Sequence, residues 1–68
     1  MATVTQKLGA KIRKIRQQKG LTQEKLAELA KIDYSYLNLI ESGKRNPTVK
    51  RLDKIARALG VSLKDLIP

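Results

Sequence analysis

Residues Gly20 to Gly43 read G-L-T-Q-E-K-L-A-E-L-A-K-I-D-Y-S-Y-L-N-L-I-E-S-G. Two apolar clusters at helical spacing lie within this stretch, each headed by a capping residue. Thr22 heads the first, and Glu24 stands where the positive end of a helix favours a negative charge. Its inward stripe is Leu26, Ala27 and Ala30 with Leu29 at the edge, and two alanines there imply close approach of a neighbouring helix. Asp33 heads the second cluster as its cap, and Gly43 ends it. At about 100° per residue, Leu37, Ile40 and Glu41 share one face. Ser35, Asn38, Leu39 and Ser42 point away from it, and Tyr34 and Tyr36 flank the two sides. The spacing therefore predicts helices over Thr22–Ala30 and Tyr34–Ser42, joined by a tight turn around Lys31-Ile32-Asp33.

Outward from this pair, Val4, Leu8, Ile12 and Ile15 predict a first helix over Thr5–Lys19, stopped by Gly20. Its other faces carry Lys7, Lys11, Arg13, Lys14, Arg16 and Lys19 and no acid. On the far side, Lys44-Arg45-Asn46-Pro47 is a basic loop. Thr48 caps a fourth helix with an expected core face of Val49, Leu52, Ile55, Ala56 and Leu59, closed by Gly60. Ser62 and Asp65 form a capping-box pattern for a fifth helix, Leu63–Ile67. With no strand pattern, repeat or linker, the expectation is an all-α, compact five-helix domain spanning residues 1–68.

The 68 residues lie near the lower size limit for folding without staples. Cysteine and histidine are absent, which removes disulfides and zinc fingers. Phe and Trp are absent too, so the core is aliphatic. Lack of cysteine fits a reducing cytoplasm. No apolar run is long enough to span a bilayer, and the N-terminus lacks a signal-peptide core. Fifteen Lys and Arg against six Asp and Glu leave a charge of +9. That balance points to a polyanion, nucleic acid ahead of an anionic membrane surface. The basic first helix alone reads as a membrane-surface segment, but the core needs its apolar stripe. Catalysis is excluded: the acids are scattered, and neither a phosphate loop nor a nucleophile elbow is present. Neither a cofactor nor a metal is expected.

Two short helices with a tight joint in a basic chain describe a helix-turn-helix whose second helix enters a DNA major groove. On that reading Tyr34, Ser35 and Asn38 face base edges. Asn bonds adenine in a bidentate manner, Ser donates or accepts, and Tyr meets a phosphate or a thymine methyl. Leu39, an outward leucine, is incidental or another thymine-methyl contact. Gln23, at the tip of the preceding helix, bonds a phosphate or braces a third-helix side chain against a base. Thr22, the Tyr36 hydroxyl, Lys44, Arg45 and Asn46 are the candidate phosphate contacts. The plainer alternatives are a solvated polar face, a solvated glutamine and a mobile basic loop. Glu41 differs, because an unpaired carboxylate on a core face is costly. Arg16, at the edge of the first helix's stripe, is its expected partner in a bidentate structural ion pair.

With these residues in place, the chain resembles the Cro/C1-type (Xre-like) helix-turn-helix regulators over about Leu8 to Ile67. The resemblance rests on I-R-K-I-R at 12–16, G-L-T-Q-E-K-L-A at 20–27, Y-L-N-L-I-E-S-G-K-R-N-P at 36–47 and I-A-R-A-L-G-V-S-L-K-D-L at 55–66. It implies a lambda-repressor-like fold and a sequence-specific regulator acting as a homodimer on a two-fold double-stranded DNA operator. It also implies DNA-contacting positions at Gln23, Tyr34, Ser35 and Asn38, base contact by Leu39 in some members, and the family's interhelical ion pair at Arg16 and Glu41. A cytoplasmic, nucleoid-associated protein follows. The chain departs from the family at Lys31, which replaces the glycine common in the turn. No sensor or multimerisation domain is expected after the fifth helix, which leaves Val61, Leu63 and Ile67 as the candidate dimer interface. A restriction–modification controller, a phage repressor and an antitoxin-like autoregulator all fit, the short form favouring the first by analogy. The alternative is a protein-interaction module using the same fold to bind a partner.

Overall fold

The computed structural model describes residues Met1–Pro68 as four α-helices, α1 (Val4–Gln18), α2 (Gln23–Ala30), α3 (Tyr34–Glu41) and α4 (Val49–Leu59). A single 3-10 turn at Leu63–Asp65 follows, and there is no strand. The fifth α-helix expected at Leu63–Ile67 is thus replaced by this one turn. Its cap forms, with the Asp65 carboxylate accepting from the backbone N–H and the hydroxyl of Ser62 while the Asp65 N–H donates to the Ser62 carbonyl. Pro68, however, disfavours α conformation at Ile67 and gives the helix no room to propagate.

The caps follow from short polar side chains. Thr22 and Thr48 accept the backbone N–H groups of Lys25 and Arg51 at 3.0 and 3.2 Å. Thr3 forms a capping box with Gln6 and starts α1 one residue ahead of the expected Thr5. Asp33 sits at the N-cap of α3 with extended backbone and accepts Leu37 N–H through its carbonyl, but its side chain makes no cap bond, contrary to expectation. The joint between α2 and α3 is closed by Lys31, whose φ of 56° and ψ of 45° put it in the left-handed region. Its own N–H and that of Ile32 return to Glu28 and Ala27.

One aliphatic cluster holds the helices together, with Ile12, Leu26, Leu37, Ile40, Ile55 and Leu66 fully buried. Leu66 comes from the segment after α4. It plugs the cluster, and its burial stabilises the fold by on the order of 2 kcal/mol. Val4 and Val49, expected in the core, are 70% and 72% exposed. Each is the first residue of its helix, one turn ahead of the point where Leu8 and Leu52 meet the core. The two ends of the helix-turn-helix pack on different partners, α3 against α1 and α2 against α4. α1 approaches α3 so closely at Gly9 that only a residue without Cβ fits. Seven residues on, about two turns along the same face, Arg16 reaches the end of α3.

Candidate nucleic-acid interface

The buried end of the interface is an ion pair. Arg16 donates from Nε and Nη2 to the two oxygens of Glu41 at 2.8 and 3.0 Å, and from Nη1 to the carbonyl of Leu21 at 2.6 Å. Both side chains are nearly excluded from solvent, and no buried polar side-chain atom in the protein lacks a partner. The pair ties α1 to both the entry of α2 and the end of α3. Breaking it from one side would leave an uncompensated buried charge.

The network continues outward. Gln23 donates from Nε2 to Glu41 Oε1 at 3.0 Å, and its own Oε1 accepts from Asn38 Nδ2 at 3.1 Å. Four side chains from three helices therefore form one chain of contacts from the core to the outer face of α3. They lie along an open polar cleft lined also by Arg13, Thr22, Glu24, Tyr34 and Ser42. Ser35 and Asn38 are exposed, and Tyr34 and Leu39 are 46% and 36% exposed.

A second cluster lies beyond the end of α3. Gly43 turns the chain with φ 76°, and Lys44 and Arg45 follow it, exposed. Thr5 donates its hydroxyl proton to Asn46 Oδ1 at 2.8 Å, which pins this loop to the start of α1 and leaves the Asn46 amide nitrogen as a free donor. Tyr36 is half-buried against the core. Its ring lies under two guanidinium groups, Arg51 at 4.7 Å and Arg45 at 5.8 Å from the centroid. Neither arginine is in any of the three ion pairs of the molecule. Arg51 was not a sequence candidate. Its place on the exposed face of α4 looks ordinary until the fold brings Tyr36 beneath it. Arg13, whose sequence position marks it only as one of the basic residues of α1, lines the cleft.

The dimer candidates are scattered in exposure. Val61 and Leu63 are half-buried against the core, and Ile67 is 54% exposed. No three His, Cys, Asp or Glu side chains come together as metal ligands, and no helix is long and apolar enough to cross a membrane.

The fold recurs in known proteins. A helix-turn-helix family model (HTH_3) matches residues 12–66. The control protein C.BamHI of Bacillus amyloliquefaciens is 43% identical over 60 residues, covering 87% of this chain and 74% of that protein. An HTH-type transcriptional regulator of Sinorhizobium fredii, y4dJ, is 42% identical over 60 residues, covering 88% and 78%. Among solved structures, the restriction-modification controller protein C.AhdI from Aeromonas hydrophila superposes with a TM-score of 0.91 at 38% identity, covering 93% of this chain and 96% of that one. The chain belongs to the HTH_3 helix-turn-helix family, the Cro/C1-type (Xre-like) regulators.

Proposed function

We propose that the protein is a sequence-specific, double-stranded DNA-binding transcriptional regulator that acts as a homodimer on a two-fold operator. The observation that carries this reading is the outer face of α3. An asparagine is held in place there by a glutamine from α2, and at another edge of the same helix a phenol carries two arginines with no acidic partner. On this reading α3 lies in the major groove. Tyr34, Ser35, Asn38 and Leu39 face base edges with Gln23 beside them, and Thr22, Tyr36, Lys44, Arg45, Asn46 and Arg51 hold phosphates.

A dimer would place the two α3 helices in successive major grooves about 34 Å apart. Ile67, with the rims of Val61 and Leu63, is the apolar surface offered for that contact, and the regulator works in the cytoplasm at the nucleoid. The likeness to control proteins favours a restriction–modification controller among regulatory roles.

The test is a gel shift on sites selected from random duplexes. Affinity should fall by on the order of a thousandfold between about 50 and about 200 mM salt, because phosphate neutralisation releases counterions. Ser35→Ala with Asn38→Ala should abolish preference for the selected site. Salt-insensitive binding, or a site preference untouched by both substitutions, would defeat the reading.

A further inference from the structure

Glu41 does more than neutralise Arg16. Its Oε1 takes two donors, Nη2 of Arg16 and Nε2 of Gln23, each at 3.0 Å. A carboxylate has no proton to give, so the Gln23 amide must turn its nitrogen inward and its oxygen outward. That outward oxygen only accepts, so Asn38 must meet it with Nδ2, as it does at 3.1 Å. The Asn38 amide is then left with Oδ1 and its second Nδ2 proton facing out, in one order only. An acceptor and a donor side by side are what the N6 and N7 edge of adenine requires.

We propose that Glu41 is a positioning residue for base readout. Through Gln23 it sets the orientation of the Asn38 amide, and so the base edge that the protein accepts at that step. The inference rests on the DNA-binding reading above. A freed Asn38 amide turns over between two orientations, one of which presents donor and acceptor in the reversed order. Loss of the relay therefore relaxes preference at one base pair and leaves the rest of the site alone. A purely structural ion pair would lower stability without touching base preference.

The experiment compares sites selected from random duplexes by the full chain and four variants, with folding followed by circular dichroism. Asn38→Ala identifies the base pair concerned. Arg16→Met with Glu41→Leu replaces the pair by apolar groups of similar size, a class of change that preserves packing, and leaves Gln23 in place. Gln23→Ala cuts the relay while keeping the pair. Both should lower discrimination at that base pair by about tenfold, within the range of one bidentate contact, with other positions unchanged. In the Asn38→Ala background Gln23→Ala should cost no further discrimination. Wild-type preference at that base pair in the folded double variant, or in Gln23→Ala should the double variant not fold, would overturn the proposal. A wild-type protein that selects no sequence would instead overturn the DNA-binding reading, and the relay with it.

Discussion

Gly9 of α1 lies directly against the main-chain carbonyl of Ile40 in α3. A Cβ at residue 9 would overlap that oxygen and stand 3.0 Å from the carbonyl oxygen of Glu41. Both obstacles are backbone, so neither can swing aside. The contact sets the distance between the helix that carries Arg16 and the helix that carries Glu41. Gly9→Ala should therefore destabilise the protein by about 2–3 kcal/mol, despite alanine's better helix propensity. Urea unfolding checks this, and a variant as stable as the parent would show that α1 and α3 are less tightly apposed.

Lys31 holds the left-handed conformation at the joint of the helix-turn-helix, the only non-glycine residue with positive φ. Its side chain is exposed, so nothing visible compensates for the strain. Lys31→Gly should stabilise the fold by about 1 kcal/mol. A thermal melt shows the effect as a higher Tm, and a lowered Tm would mean that the lysine makes a stabilising contact.

Arg51 stacks on Tyr36 with no acidic partner, and a phosphate is the anion that the proposed complex would bring there. Arg51→Ala should weaken binding about equally for all sequences and reduce the slope of log affinity against log salt by about 1. Asn38→Ala should do the reverse, altering sequence preference with little change of slope. Binding titrations at several salt concentrations separate the two, and an unchanged slope in Arg51→Ala would remove Arg51 from the phosphate contacts.

Asp65 accepts from both the hydroxyl and the backbone N–H of Ser62, at 2.8 and 3.0 Å. The hydroxyl bond, then the backbone bond, hold its carboxyl below the ordinary value of 3.8. Because the folded value is the lower one, the stabilisation from this cap is present above the unfolded value and is lost as pH falls through the folded one. A carboxyl NMR titration should place the Asp65 midpoint below 3.8, and Ser62→Ala should raise it toward that value. A midpoint unaffected by Ser62→Ala would show that the capping box does not persist in solution.

Much of the molecule was legible in one dimension because its causes are local. The threonine caps, the stripe of Leu26, Ala27 and Ala30, the inward Leu37 and Ile40, and the breaks at Gly20, Gly43 and Gly60 all act within a few residues of themselves. Helix ends are where sequence and structure part. Val4 and Val49 satisfy the apolar period but precede the turn that touches a neighbour. The last segment has the capping pattern of a helix, yet Pro68 ends it after one turn. Leu66 carries no signal of burial in the sequence, because no periodic stripe surrounds it.

By itself the sequence determined an all-helical basic chain, the helix-turn-helix at 22–42 and the polar outer face of its second helix, since spacing, capping and charge are properties of order along the chain. Only the tertiary structure decided which polar residues act together. The relay from Arg16 through Glu41 and Gln23 to Asn38 spans three helices, and Arg51 and Arg45 meet at Tyr36 from different segments. Hydrogen bonds and cation–π contacts depend on atoms a few ångströms apart in space, and these partners become neighbours only when α1 closes on α3 at Gly9 and α4, packed on α2, brings Arg51 over Tyr36.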